Sequence, residues 1–553
     1  MVKKTLVLII LILGLSRVNT MAAEIDPAAA NPGNIRQSVE NRDYFRLEKE
    51  LQEQKTPQEE SNVTDKTTKQ EATTSATKAQ LFVKKIGTDV SEILSETEIA
   101  AVTAKYEGRS VDIQDLYHML QELNDLYIQK GFITAKAILP PQKVTDGIVH
   151  VKLVEAHFGQ LLLEGNEHTR DAYILKRFSQ QSGDLVNIST LEKEIFYFNR
   201  TNDIQLKAEL KPGQEFGQTD CVLKVVEPSN IQATLFSDNG GSANTGRYRL
   251  GLSWVNNSLT GNRDFLMISP VGTEGTWAGS VLYNRPITRK GTSLGFSYSK
   301  NQSSVISGPF DSLDIKSEET DSGINLNYPL RVKPNFKADG IASFFNKKAK
   351  TNFSGSTLID YQVQTFSLGL TFQNIDPAGF WYHRYELTRG DSDIGDAFYR
   401  FNLTAVRQQK IKKDGLLIYR ATGQLSNNNL LPTTEQFSIG GINTVRGYTT
   451  GILSGDQGYN LSIEYDFPLK FSQQVKGFAF IDHGGAFPYK GNNQGSSSED
   501  YLTSIGCGLN LYNLNNLSGK LVLGMPIDSS KSGLQIDFYL QRSLPIGRRE
   551  KDK

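Results

Sequence analysis

From Gln232 to Leu544 the side chains of this sequence alternate between apolar and polar, residue by residue, and that period restricts the fold more than any other feature. Successive side chains of a β-strand point to opposite faces, so a period of two marks strands with one apolar and one polar side. In Arg247–Val255 the apolar face carries Tyr248, Leu250, Leu252 and Trp254. In Gly533–Leu540 it carries Leu534, Ile536, Phe538 and Leu540, with Gln535 and Asp537 opposite. A lipid-facing side against a polar lumen is the signature of a transmembrane β-barrel. Composition agrees: 48 Gly, 22 Tyr and 28 Phe stand against 2 Cys, 5 Met and 6 His. Lipid-spanning helices would need runs of about 20 apolar residues. The one apolar run of any length is Leu6–Leu15, so a bundle of such helices is excluded. A soluble propeller or sandwich is the competing all-β reading.

Turns rich in Gly, Asn, Asp and Ser divide the region, expected to span 230–545, into sixteen strands. The first starts near Gln232, the eighth near Tyr361, the thirteenth near Val475 and the last near Gly533. An even count is what closure of a bacterial barrel requires.

The N-terminus bears an export address. Lys3 and Lys4 precede the apolar run, and Ala22 and Ala23 follow it, the order of a secretory signal peptide, expected over residues 1–23. So short a run would cross only about half of a 30 Å hydrocarbon core, which disfavours a membrane anchor. Residues 34–55 have high helix propensity between Pro32-Gly33 and Pro57, but little apolar content, so this helix suits water or a polar cavity. Residues 56–80 are rich in Thr, Lys, Gln, Glu and Ser, without an aromatic residue, and read as a flexible linker.

Between Leu81 and Ser229 an α+β order appears twice. In the first unit, 81–156, a strand at Leu81–Val83 leads to helices at Glu96–Tyr106 and Val111–Lys130. The second helix places Leu116, Met119, Leu120, Leu123, Leu126 and Tyr127 on one face, and Gly131 ends it. Strands at Ala135–Leu139 and Gly147–Glu155 follow. The second unit, 157–229, repeats the order: strand His157–Leu163, helices Thr169–Phe178 and Ile188–Arg200, strands Ile204–Leu210 and Gln218–Val226. Two such units in series resemble a pair of POTRA modules, periplasmic domains that bind extended polypeptide at a sheet edge. The fold class expected is therefore α+β periplasmic modules followed by a sixteen-stranded antiparallel transmembrane barrel.

With those modules in the periplasm, connections after odd-numbered strands face the cell exterior. The longest connection, Asn427–Gly458, follows the eleventh strand and is the sixth extracellular loop. It contains Gly440-Gly-Ile-Asn-Thr-Val445-Arg446-Gly447-Tyr448. Near the start of the thirteenth strand lies Phe480-Ile-Asp482-His-Gly484-Gly485. These two motifs, beside paired POTRA-like units and sixteen strands, resemble the outer-membrane transporters of two-partner secretion. That is the TpsB family, which exports haemolysins and filamentous haemagglutinins and shares a superfamily with the barrel-assembly insertases. The resemblance implies that loop six folds back into the lumen and that Val445, Arg446, Gly447 and Tyr448 form a lock. Its partner on the wall is implied to be Phe480, Asp482 and Gly484. It further implies that the helix at 34–55 plugs the pore. Partners implied are a large TpsA-type exoprotein, recognised through its N-terminal secretion domain, outer-membrane lipid, periplasmic chaperones and the barrel assembly machinery. One departure from the family is the charged tail after Leu544, where an aromatic residue commonly ends the last strand.

Chemically, an arginine on a loop inside a polar lumen requires a fixed anion, and a bidentate guanidinium–carboxylate pair is directional enough to hold the loop. Gly447 permits a positive φ or close backbone approach, and Tyr448 is placed to wedge against the wall. No enzymatic motif of the G-x-S-x-G, H-E-x-x-H, C-x-x-C or P-loop kind is present, and neither a metal nor a cofactor is expected. Asp482 and His483 are adjacent on a strand and so point to opposite faces, which rules out a dyad. His157 and His168 lack metal-ligand spacing, and Cys221 and Cys507 read as half-buried strand residues. With 60 basic and 60 acidic residues the net charge is zero, which argues against nucleic acid. The function expected is an outer-membrane pore, not an enzyme, that moves an unfolded exoprotein to the cell surface. The alternative is an insertase for other barrels.

Overall fold

The computed structural model describes residues 63–65, 80–215, 217–412, 414–427, 431–489, 501–527 and 533–546. The expected signal peptide (1–23) and plug helix (34–55), and most of the expected linker, lie outside the described residues. The chain divides into two compact units, one over Glu59–Pro228 and one containing Ser229–Lys553.

In the first unit the strands are β1 (Val63–Asp65), β2 (Leu81–Val83), β3 (Lys85–Thr88), β4 (Arg109–Val111), β5 (Lys136–Ile138), β6 (Ile148–Val154), β7 (His157–Glu164), β8 (Gln205–Pro212) and β9 (Gln218–Val226). The helices are α1 (Glu96–Thr103), α2 (Ile113–Gln129), α3 (Asp171–Leu175) and α4 (Ile188–Thr201). Asp112 caps α2: its side chain accepts from the Asp115 amide, and the Asp115 side chain accepts in return from the Asp112 amide. Beyond the helix Gly131 takes φ +86, as a C′ glycine does. The face of α2 bearing Leu116, Met119, Leu120, Leu123 and Tyr127 is buried with Val83, Ile86, Val149 and Val151. Burying each large apolar side chain of this kind contributes about 1.5–3 kcal/mol. Sheet order here is β3-β6-β5, with β3 and β6 parallel.

The second half of this unit is a sheet of order β1-β8-β9-β7 under α3 and α4, with Leu191, Ile195 and Phe198 of α4 turned to its core. Here the sequence reading needs a correction. Val63–Asp65, inside the stretch expected to be a flexible linker, forms β1 and pairs in parallel with Ala208–Leu210 of β8. The physical reason is the edge of β8, whose free amides and carbonyls attract any extended segment. Val63 then packs against the core, and its β-branched side chain suits a strand.

The second unit is a closed antiparallel barrel of sixteen strands. Its first eight are β10 (Ile231–Asp238), β11 (Arg249–Asn256), β12 (Phe265–Gly272), β13 (Thr276–Pro286), β14 (Ser293–Ser304), β15 (Lys316–Lys333), β16 (Phe336–Phe353) and β17 (Ser356–Asp376). Next come β18 (Gly379–Ser392), β19 (Gly395–Ile411) and β20 (Gly415–Ser426). Two short strands, β21 (Phe437–Ile439) and β22 (Leu453–Gly455), pair with each other inside the following loop. The wall resumes with β23 (Gln457–Leu469), β24 (Ser472–Phe487), β25 (Tyr501–Leu514), β26 (Leu517–Pro526) and β27 (Gln535–Ile546). Closure runs from Ile231↔Ile546 to Asp238↔Tyr539, so the last strand continues through Pro545 before the charged tail.

The alternation reads as expected. On β17, Phe366 and Leu368 are exposed at 51% and 55%, while Thr365 and Ser367 between and beside them are buried at 3% and 5%. Tyr248, Leu250 and Leu252 face outward, and Arg249, paired with Asp238 at 2.6 Å, faces inward. The eighth strand begins at Ser356, before the expected Tyr361. Cysteine burial also departs from expectation: Cys221 is fully buried and Cys507 is exposed, rather than both being half-buried. Burial pushes the Cys221 thiol up to about 12, which makes it inert at neutral pH.

Candidate lock site of loop six in the barrel lumen

On β24 the inward positions are Phe478, Phe480, Asp482, Gly484 and Ala486, all on one face because they are two apart. The neighbouring β23 turns Asn460, Ser462, Glu464 and Asp466 the same way, in register with Ser462↔Asp482 and Glu464↔Phe480. Two bulky rings lie flat on this wall because their neighbours on β25 are glycines. A Cβ on Gly506 would stand 2.4 Å from the Phe480 ring, and one on Gly508 would stand 2.4 Å from the Phe478 ring.

Onto this surface loop six lowers its tip. Arg446 is 3% exposed and Asp482 is wholly buried. The guanidinium donates Nε to Asp482 Oδ2 at 2.7 Å and Nη2 to Oδ1 at 2.8 Å, a bidentate fork. The Arg446 backbone amide donates to the same Oδ2 at 3.0 Å. Its Nη1 pairs with Glu464, and Nη2 also donates to Ser462 Oγ at 3.1 Å. The Phe480 ring lies 3.6 Å from the guanidinium carbon, so the cation is stacked as well as paired.

Gly447 follows at φ +90, and a Cβ there would meet the Gly524 carbonyl carbon at 2.9 Å. Tyr448 is buried and donates its hydroxyl to the Thr503 carbonyl at 2.9 Å. Val445 presses on the place where a Gly484 side chain would be, 3.3 Å from a Cβ built there. Around these, Phe437, Ile439, Val445, Tyr448, Ala486 and Leu502 form a small apolar core within the lumen. Thr450 ties the return limb to the Gly240 carbonyl beyond the first barrel strand, at 3.1 Å.

Every motif residue expected from the sequence thus converges at one place. One position differs: Phe480–Gly485 lies in the second half of β24, not near its start, because the strand begins earlier than the alternation suggests and runs to Phe487. Four charged participants escaped the sequence reading. Glu464 receives Lys520 of β26 at 3.0 Å, lies 3.7 Å from Arg420 of β20, and pairs with Arg446. Asp466 beside it accepts from Asn510 at 3.2 Å and Tyr512 at 3.0 Å. Three cations therefore face three carboxylates, which lets so many charges share a buried site. Their sequence signal is weak: each is a charged residue at an inward position, and only the strand register shows that they meet. His483 points away from Asp482, to Tyr459 and Thr503 on the other face. Among the described residues no His, Cys, Asp and Glu cluster is suited to a metal.

A sixteen-stranded barrel preceded by an α+β unit, with loop six seated inside on an Arg–Asp pair, defines an outer-membrane transporter of the superfamily built on POTRA modules and barrels. The family model for haemolysin secretion/activation proteins of the ShlB/FhaC/HecB type matches residues 217–511, more than half of the chain, and the chain belongs to that family. The ShlB-type POTRA domain model matches residues 81–156. Among curated relatives, the haem/hemopexin transporter protein HuxB of Haemophilus influenzae is 24% identical over 460 residues, covering 78% of this chain and 81% of its own. The outer membrane transporter CdiB of Dickeya dadantii is 22% identical over 513 residues, covering 87% and 88%. Among solved structures, CdiB from Escherichia coli aligns with a TM-score of 0.64 at 20% identity, over 95% of this chain and 100% of its own. BamA from Haemophilus ducreyi, lacking POTRA domains 1–3, aligns with a TM-score of 0.55 at 14% identity, over 84% and 100%. These likenesses carry the fold.

Proposed function

We propose that this protein exports one large, unfolded exoprotein through its barrel, with loop six as the internal lock. It is an outer-membrane protein whose POTRA region lies in the periplasm. The observation that carries the reading is the seated loop: Arg446, Gly447 and Tyr448 hold it against the wall inside the lumen, where a translocating chain would have to pass. Cargo is a TpsA-type protein, and its N-terminal secretion domain adds as a strand to a sheet edge in the Glu59–Pro228 unit. Periplasmic chaperones keep that cargo unfolded, and the barrel assembly machinery inserts this barrel. The role is transport without chemistry, so folding of the cargo outside the cell supplies the directionality. Deleting the gene should remove one large surface or secreted protein while leaving other outer-membrane barrels at normal abundance. A general loss of barrels would favour the insertase reading instead.

The β1 strand adds a second expectation. By pairing with β8 it occupies an edge that strand addition by cargo would need. Thr64→Pro, which fixes φ in the middle of this three-residue strand, disfavours that pairing. Cargo affinity, measured by calorimetry with the purified protein and the secretion domain, should rise by about tenfold, the equivalent of about 1.4 kcal/mol of released competition. Unchanged affinity would show that cargo uses another edge.

A further inference from the structure

Loop six has a second ionic anchor, distant along the ring from its tip. Glu435, in a short turn of helix over Thr433–Glu435, is wholly buried. Its carboxylate meets Lys347 of β16 at 2.5 Å and Arg400 of β19 at 2.9 Å. Its carbonyl accepts from Gln424 of β20 at 2.8 Å and from Arg400 at 3.3 Å. One residue back, the Thr434 amide donates to the Tyr361 hydroxyl of β17 at 3.2 Å, and that hydroxyl also meets Thr433 Oγ1 at 2.8 Å. Leu431 sits in an apolar cluster with Ala349, Tyr361, Val363 and Phe398 of the same wall. Asp456, where the loop returns, accepts from the Leu431 amide at 2.8 Å and so joins the two limbs.

The tip is held elsewhere. Arg446 lies on β23 and β24, and Gly447 lies on β26. In the ring, β16 is the seventh strand and β26 the fifteenth of sixteen, hence on opposite walls. Between stem and tip the backbone takes positive φ at Gly440 (+111) and Gly441 (+91), and again on the return limb at Gly451 (+69). Glycine visits such conformations and their alternatives at little cost, so these are the natural places for the loop to bend. The stem, by contrast, is fixed to the wall by two ion pairs, four further hydrogen bonds and an apolar cluster.

Resting on the transport reading above, we propose that Glu435 is a positioning residue that clamps the stem of loop six to the β16–β19 wall throughout transport. The tip, residues 442–450, swings alone about Gly440–Gly441 and Gly451. Loop six is then a hinged flap with a fixed base and does not leave the lumen as a whole.

The test uses two reversible tethers in the full-length protein, with Cys507→Ser to remove the exposed thiol. The stem tether joins Thr434→Cys to Tyr361→Cys through a short bis-methanethiosulfonate. The tip tether joins Ile442→Cys to Val522→Cys, which pack in one apolar cluster with Phe478 and Phe480, through the same reagent. Secretion is measured before and after reduction in cells. With the stem tethered, secretion should stay within about twofold of the reduced protein; with the tip tethered it should fall by about tenfold or more and recover on reduction. A stem tether that blocks secretion as strongly as the tip tether overturns the proposal while leaving transport itself established. Failure of the reduced proteins to secrete, where the wild type also fails, overturns the transport reading instead. As an independent readout, Glu435→Gln should raise ion conductance in planar bilayers by about twofold or more, because the stem is freed beside the lumen. Wild-type conductance in the folded variant would contradict the clamp.

Discussion

Arg446→Ala should lower secretion by about tenfold or more while the barrel still reaches the outer membrane in near-normal amount. Asp482 is wholly buried and takes two hydrogen bonds from the Arg446 guanidinium and one from its backbone amide, so the substitution leaves a carboxylate without its charge partner. Breaking a buried pair in this way costs about 3–5 kcal/mol, against at most about 1 kcal/mol for an exposed pair. The apolar contacts of Val445 and Tyr448 oppose release of the tip. The charge effect should win, because the loop can lift off and let water reach Asp482. Barrel assembly should survive, since the sixteen-strand ladder includes no residue of the tip. Arg446→Lys should resemble the alanine variant more than the wild type. A single ammonium cannot form the fork to Asp482 and also span Glu464 and Ser462. Secretion assayed beside heat-modifiable barrel mobility checks this; full secretion at normal abundance would remove the lock from the account.

Gly524→Val should disable the same lock without touching a charge. A Cβ on Gly524 would stand 2.6 Å from the Gly447 nitrogen and 2.7 Å from its Cα. Both obstructing atoms belong to the backbone, so no side chain can swing aside. Gly447 cannot yield by changing residue either, since its φ of +90 is unfavourable for other residues. Overpacking of this kind costs about 1–3 kcal/mol where the surroundings are rigid, and here it acts directly on the loop. The tip should be pushed off β26, with secretion falling to near the Arg446→Ala level. Leu523→Val, one residue earlier on the lipid-facing side, is the control and should leave secretion unchanged. Equal secretion by both variants would mean that the tip does not rest on β26 in the working protein.

The barrel was legible in the sequence because its walls separate two media, so each strand repeats the same period. Sixteen strands could be counted from that period alone, and their starts moved little, as from Tyr361 to Ser356. Helices α2 and α4 were legible because Leu116–Tyr127 and Leu191–Phe198 carry a clean apolar face. Some elements of three residues were not. β1, β21 and β22 are too short to show a period, and their partners lie far away in sequence. The lock residues Arg446 and Asp482 were found through motifs. Glu464, Lys520 and Arg420 were missed because their role depends on register between β20, β23, β24 and β26, which no single strand encodes. Glu435 was missed for another reason: its cations, Lys347 and Arg400, come from strands whose inward faces also carry many other polar residues.

The central claim is that cargo passes through the lumen. It is tested by photocrosslinking from β17, where neighbouring residues face opposite media. A photoreactive amino acid is placed at Ser367, facing inward, or at Leu368, facing lipid, and secretion is stalled with a cargo carrying a tightly folded C-terminal domain. Cargo adducts are expected from position 367 and none from 368. Adducts from 368 without any from 367 would place the chain outside the barrel and contradict it.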